Sequence, residues 1–179
     1  DGRLTFAELD AEVARVRAAL AVAGVRRGDH VGICLGNGTR FLTLFLALGT
    51  LGAVSVPVNT RLKSEEIAYA LRQSRVTRLF TADRLLSSDF IALLRRIAPG
   101  LDHGLPDAAL PDLHTVVVDG DTVPAACGSW DDFMAGAGAD PGALSCADDM
   151  MLIQYTSGTT AFPKGVMLRQ GAMLANGFV

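Results

Sequence analysis

Cysteine is scarce in this chain and charge of either sign is nearly balanced, and each shortage narrows what the molecule is. The 179 residues hold three cysteines, Cys34, Cys127 and Cys146, and no two of them form a C-x-x-C pair. His30, His103 and His114 stand apart from them in sequence. A disulfide framework or a zinc site needs paired or clustered ligands, so neither is expected and no metal-binding residues are assigned. Idle thiols in a reducing, cytoplasmic setting are the reading. The formal net charge is −3. No basic face is suggested, which argues against a nucleic-acid partner.

Charge-free stretches are also rare, with one exception. Residues 41–58 carry no charged side chain and are long enough to cross a bilayer. Yet Gly49, Gly52, Pro57 and several hydroxyls interrupt them. The first half has helical spacing, whereas Ala53-Val54-Ser55-Val56 is strand-like. A buried helix feeding a buried strand is expected, with no integral membrane segment. No internal repeat, long linker or signal peptide is evident. The chain opens at Asp1 without an initiator Met, so upstream sequence is expected to precede it.

What remains is an ordinary globular balance: 50% of residues are hydrophobic and 20% charged, enough for one mid-sized domain with a core. Thr5-Phe6-Ala7-Glu8 reads as a capping box flanked by a Leu4/Leu9 staple. Phe6, Leu9, Val13, Val16 and Leu20 follow at helical spacing, and Gly24 is a suitable stop. Past the Gly28-Asp29 turn, residues 30–35 form a predicted buried strand, broken by Gly36-Asn37-Gly38. A helix from Thr39 and a strand ending at Pro57 come next. Ser64 is the expected cap of a third helix with Glu65 and Glu66 in its first turn. Strands are predicted over 78–82, 114–119 and 150–155, the second around Val116-Val117-Val118. Helices are predicted around Phe90–Ile97, ended by Pro99-Gly100, and after Ser129. Residues 101–112 and 136–147 read as loops. Val166-Met167-Leu168 is expected to lead straight into a helix through Asn176. This alternation gives an α/β fold: a parallel-rich sheet flanked by helices.

The chemistry concentrates in Tyr155-Thr156-Ser157-Gly158-Thr159-Thr160-Ala161-Phe162-Pro163-Lys164-Gly165-Val166. Thr156, Ser157, Thr159 and Thr160 offer four hydroxyls within five positions. Gly158 lets the backbone present N–H groups, Pro163 limits relaxation of the turn, and Lys164 adds an ammonium. Together these suit phosphate oxygens, and a loop after a parallel strand is where open α/β sheets bind ligands. A Walker A loop is excluded: Pro163 stands where its second Gly belongs, and Gly165 where its metal-binding hydroxyl belongs.

This segment resembles the Thr/Ser/Gly-rich phosphate loop of the acyl-adenylate-forming enzymes, approximately Y/F-T-S-G-[ST]-T-G-x-P-K-G-V, departing only at Ala161. That superfamily includes acyl- and aryl-CoA synthetases, peptide-synthetase adenylation domains and firefly luciferases. Leu4–Leu9, Gly28-Asp29-His30-Val31, Gly49–Asn59 and Glu65–Tyr69 resemble its upstream landmarks. Asn59-Thr60-Arg61 is similar to the acyl-CoA synthetase branch. The resemblance implies ATP-dependent activation of a fatty or aryl acid to acyl-AMP, then transfer to CoA, with ATP, Mg2+ and CoA as cofactors. Lys164 would stabilise pyrophosphate, and Thr156, Ser157, Gly158, Thr159, Thr160, Lys164 and Gly165 would bind ATP. It also implies that residues 1–179 are an incomplete N-terminal domain ending just after the phosphate loop, without the C-terminal domain and inactive alone. A non-catalytic ATP- or phosphate-binding piece, an amino-acid adenylation module of a peptide synthetase, and a structural α/β domain are the rival readings.

Overall fold

The computed structural model describes residues 3–156 and 163–177. Helix α1 (Phe6–Val22) starts at the expected box: Glu8 N–H donates to Thr5 Oγ1 at 3.2 Å, and Thr5 N–H to Glu8 Oε2 at 2.7 Å. Its buried side chains begin only at Val13, and Phe6, though at the same helical spacing, is 92% exposed. In the first two turns Leu9 is the apolar side chain that still packs against the core. Gly24, at φ +78°, takes the left-handed conformation that lets the chain leave the helix.

The uncharged run divides as expected. Helix α2 (Thr39–Leu51) ends at Gly52, at φ +82°, and strand β2 (Val54–Pro57) follows β1 (His30–Cys34) in order. Thirteen residues make about 20 Å of helix, and among the described residues no helix is long and apolar enough to cross a membrane. Helix α3 (Ser64–Gln73) corrects the expected cap. Lys63 occupies the cap position, its N–H donating to Glu66 Oε2 at 2.8 Å, and Ser64 is already the first helical residue. The Glu66 carboxylate serves that N–H, so the helix starts without a cap side chain.

Strand β3 (Arg78–Ala82) precedes a two-stranded hairpin, β4 (Arg84–Leu85) and β5 (Ser88–Asp89), that the sequence did not signal. Helix α4 (Phe90–Ile97), capped by Asp89, runs into a single 3-10 turn over Pro99–Asp102. Then come β6 (Thr115–Asp119), β7 (Gly128–Ser129), α5 (Trp130–Ala135) with Ser129 as its cap, β8 (Met150–Thr156), β9 (Lys164–Arg169) and α6 (Gln170–Asn176).

The seven-stranded sheet has the order β7-β6-β3-β1-β2-β8-β9, parallel throughout except for β9. From β1 the chain moves one way to β2, then back past β1 to β3 and β6. Right-handed crossovers therefore place α2 and α3 on opposite faces. The packing agrees: α1 lies against α2 and α5, and α3 against α4. Gly32 shows how tight this is, since a Cβ there would stand 2.9 Å from Leu79 Cδ1. Val31, Ile33, Val54, Val56, Leu79, Phe80, Val116 and Val118 form the centre, buried from both sides.

Strand β9 departs from the expected direct entry into a helix. It pairs antiparallel to β8, from Met150↔Arg169 to Thr156↔Lys164, and only at Gln170 does the chain turn helical. None of its six residues is buried, so it lacks the one-sided alternation that marks a strand in sequence.

Candidate nucleotide-phosphate site

The β8–β9 pair places the two ends of the expected phosphate loop. Thr156 and Lys164 are opposite each other at the last rung of the hairpin, and Tyr155 faces Gly165 one rung below. The loop thus leaves from a hydroxyl and returns to an ammonium, at the carboxyl edge of the sheet where doubly wound folds bind ligands. Thr156, Lys164 and Gly165 are solvent-exposed. Ser157, Gly158, Thr159 and Thr160, the other expected ATP-binding residues, lie outside the described residues, as does Ala161.

Gly165 has a structural duty besides the one expected. A Cβ at residue 165 would meet Ile153 Cγ2 at 3.0 Å and Tyr155 Cζ at 3.5 Å. The bare glycine lets the Tyr155 ring lie across the hairpin. That phenol reaches α3, donating to the Ala70 carbonyl at 3.2 Å and lying 2.7 Å from Ser74 Oγ. Its ring also meets Tyr69 edge-on, centroids 6.4 Å apart. Partial burial raises the phenol's pKa, against the opposing effect of the Ser74 hydrogen bond.

Two clefts flank the hairpin and share Pro57, Val58, Asn59 and Gln154. The larger, about 660 Å³, opens between Gly36-Asn37, the residues after β2 and the β4–β5 turn. Asn59 Oδ1 accepts the Arg61 N–H at 2.9 Å, fixing the bend that carries Thr60 and Arg61 into its wall. The smaller, about 400 Å³, is walled by Leu62, Glu66 and Ala70 of the α3 side and by Tyr155, Thr156 and Pro163. Sequence reasoning used Asn59 and Arg61 as branch markers only, and missed Gln154, Ser74 and the role of Tyr155. The polar Gln154 inside an otherwise apolar strand was the available signal.

Among the described residues no group of three or more His, Cys, Asp or Glu side chains could hold a metal. The described residues thus offer no acidic cluster of the kind that holds a Mg2+ ion. Cys34, Cys127 and Cys146 are free. Burial pushes the Cys34 thiol up to about 12 and Cys127 to about 11, which keeps both protonated and unreactive near neutrality.

Comparison with known proteins agrees over the whole length. A family model described as AMP-binding enzyme matches residues 1–179. The mitochondrial medium-chain acyl-CoA ligase ACSF2 of Danio rerio is 30% identical across 98% of this chain and 31% of its own length. The long-chain-fatty-acid–CoA ligase FadD13 of Mycobacterium tuberculosis (strain CDC 1551 / Oshkosh) is 32% identical, across 93% and 30%. The chain spans about a third of the length of these curated relatives. Among solved structures, the anthranilate CoA ligase AuaEII in complex with anthranoyl-AMP superposes with a TM-score of 0.80 and 30% identity, over 95% of this chain and 30% of that one. Acetoacetyl-CoA synthetase from Streptomyces lividans gives a TM-score of 0.82 at 25% identity, over 98% and 27%.

Proposed function

Because the chain belongs to the AMP-binding enzyme family, we propose that it is the ATP-gripping front part of an acid–CoA ligase. The intact enzyme would join a fatty or aryl carboxylate to ATP, releasing pyrophosphate, and pass the acyl group from acyl-AMP to CoA. The observation that carries this reading is the last rung of the hairpin, Thr156 opposite Lys164, with a hydroxyl-rich stretch of sequence between them at the sheet's carboxyl edge. The relatives named above support CoA as the acceptor, each being a CoA ligase or synthetase in name.

In the first step a carboxylate oxygen attacks the α-phosphorus in line. The bond from that phosphorus to the bridging oxygen breaks, and negative charge grows on the departing pyrophosphate. Lys164, with the hydroxyls of Thr156, Ser157, Thr159 and Thr160 and the backbone of Gly158 and Gly165, would hold the β- and γ-phosphates as that charge develops. Fixed donors aimed at growing charge supply most of the catalysis in such transfers. The CoA sulfur then attacks the acyl carbon and AMP leaves. Mg2+ would offset phosphate charge through ligands beyond the described residues. The free thiols fit a cytoplasmic setting.

The test is acid-dependent exchange of pyrophosphate into ATP by the intact enzyme, screened over a panel of fatty and aryl acids. Lys164→Ala is expected to lower exchange about a hundredfold or more. Unchanged exchange in that variant sinks the assignment. The 179-residue chain alone is expected to turn over almost nothing. ATP or pyrophosphate binding without exchange by the intact protein would mark a non-catalytic binder, and an aminoacyl thioester on a carrier protein would mark a peptide-synthetase module.

A further inference from the structure

Strand β8 lies beside β2, which ends at Pro57, so its last residues run on towards the loop beyond the end of that neighbour. Its register with β2 is recorded at Ser55↔Leu152, three residues before Tyr155, and its other neighbour is the exposed edge strand β9. Past that point the hairpin must be held to the domain by side chains. Ile153 is buried, whereas Gln154 and Thr156 are exposed. Tyr155 lies between those two, and its side chain crosses from the hairpin to helix α3.

The contact is built with direction. The phenol carries one proton, and at 3.2 Å it goes to the Ala70 carbonyl. The phenolic oxygen then accepts from Ser74 Oγ at 2.7 Å. Ser74 is 4% exposed, so its hydroxyl needs a protein partner, and Tyr155 is the one it has. The Ser74 carbonyl in turn accepts from His30 Nδ1 at 2.5 Å, and His30 is the first residue of β1. A run of three hydrogen-bonded residues thus ties the foot of the loop through the end of α3 to the central strand. Gly165 completes the arrangement by leaving room for the ring.

We infer that Tyr155 is a positioning residue for the phosphate loop, its hydroxyl fixing the foot of the β8–β9 hairpin, and hence Thr156 and Lys164, against α3. The inference rests on the reading that this loop holds ATP. Removing the hydroxyl leaves the ring and its packing in place but frees the hairpin to swing. A displacement of about 1 Å at groups that must meet a growing charge is enough to slow the chemistry strongly. Tyr155 does not touch the reacting atoms. Its effect should therefore appear as a loss specific to the nucleotide, with the acid bound as before.

The experiment uses the intact enzyme and five variants: Lys164→Ala, Tyr155→Phe, Ser74→Ala, the Tyr155→Phe/Ser74→Ala double variant and Val16→Ala. Val16 lies in the α1 core, away from the loop, and gives a control for general loss of stability. In pyrophosphate exchange, Tyr155→Phe should lower kcat/KM for ATP about tenfold while KM for the acid stays within twofold. Ser74→Ala should do the same to a smaller degree, because the phenol keeps Ala70, and the double variant should be no worse than Tyr155→Phe. Val16→Ala should lower the melting temperature at least as much and leave both constants unchanged. Equal losses for ATP and acid, tracking melting temperature across the series, would make Tyr155 merely structural and overturn the inference. Unaltered kinetics in Tyr155→Phe with an inactive Lys164→Ala would also overturn it. Full activity in Lys164→Ala would instead remove the underlying reading of the loop.

Discussion

Strands β1 and β9 are built from similar apolar stock and meet opposite fates. In β1, His-Val-Gly-Ile-Cys, four of five residues are buried; in β9, Lys-Gly-Val-Met-Leu-Arg, none is. The first lies between β2 and β3 with helices over both faces, and the second borders only β8 among the described residues. Apolar content does not make a core; being covered from two sides does. The sheet's centre holds the domain together, and its exposed edge carries Thr156 and Lys164, the groups proposed to meet ATP. Loops and edges can carry function because the scaffold does not depend on them.

Phe80 gives that contrast its largest test. It is 1% exposed, with Phe133 and Trp130 edge-on at centroid distances of 5.0 and 6.0 Å. Truncation leaves a cavity that two rigid rings cannot fill, so Phe80→Ala should cost about 3–5 kcal/mol in denaturant unfolding. A cost below about 1 kcal/mol, the level of an ordinary surface change, would deny the core its role.

The second test concerns the long loop that joins the two regions. Arg17, in α1, is nearly buried and grips Asp140 with two hydrogen bonds, at 2.7 and 2.5 Å, while its Nη1 donates to Thr50 at 3.1 Å. Leu144 and Ser145 N–H groups donate to the Thr50 carbonyl, and Gln170 and Gly171 N–H groups to the Asp149 and Ala147 carbonyls. Residues 140–149 thus strap α6 and the hairpin to α1 and α2. Asp140→Ala leaves a shielded guanidinium without its partner and should cost about 2 kcal/mol, less than for a fully buried pair because Asp140 is partly exposed. The hydrogen bond from Arg17 holds the Asp140 carboxyl below its usual range. A depressed carboxylate stabilises the fold above the ordinary aspartate value near 3.8 and loses that contribution as pH falls through its lower, folded value. Acid titration of unfolding should therefore show a shallower decline in Asp140→Ala than in the parent. Superimposable acid limbs would mean that the pair contributes nothing.

These tests also mark what could be read from residues alone. The parallel core was legible because buried strands are continuous apolar runs and helices carry local caps, as at Thr5 and Ser129. Ser64 was misplaced by one position because a carboxylate three residues beyond Lys63 served its N–H equally well. Phe6 shares the helical spacing of Val13, Val16 and Leu20 yet is exposed, because spacing says which face a residue is on, and not where the neighbouring element stops. The site was legible as a string of donors, Thr156 to Lys164. Its support was not, since Tyr155, Ser74 and His30 are 44 to 125 residues apart and meet only when β8 lies beside α3. Strand β9 was hidden for the same reason: its pairing is with another segment, and its side chains carry no buried face.

The smallest expected effect is at Met167, and it sharpens the contrast most cleanly. Met167 is 64% exposed on β9, paired across from Ile153, which is buried. A solvent-exposed methionine has little left to lose, so Met167→Ser should change unfolding free energy of the 179-residue chain by no more than about 0.5 kcal/mol. Phe80→Ala and Met167→Ser would then differ severalfold although both remove one large apolar side chain from the same sheet. A cost above about 1 kcal/mol at Met167 would require a partner surface, because side-chain burial is the only source of so large a transfer term at an exposed site. Repeating the unfolding at several protein concentrations separates the two cases. A midpoint that rises with concentration assigns the cover to a second copy of the chain, and an invariant midpoint with a small cost leaves β9 as an open edge.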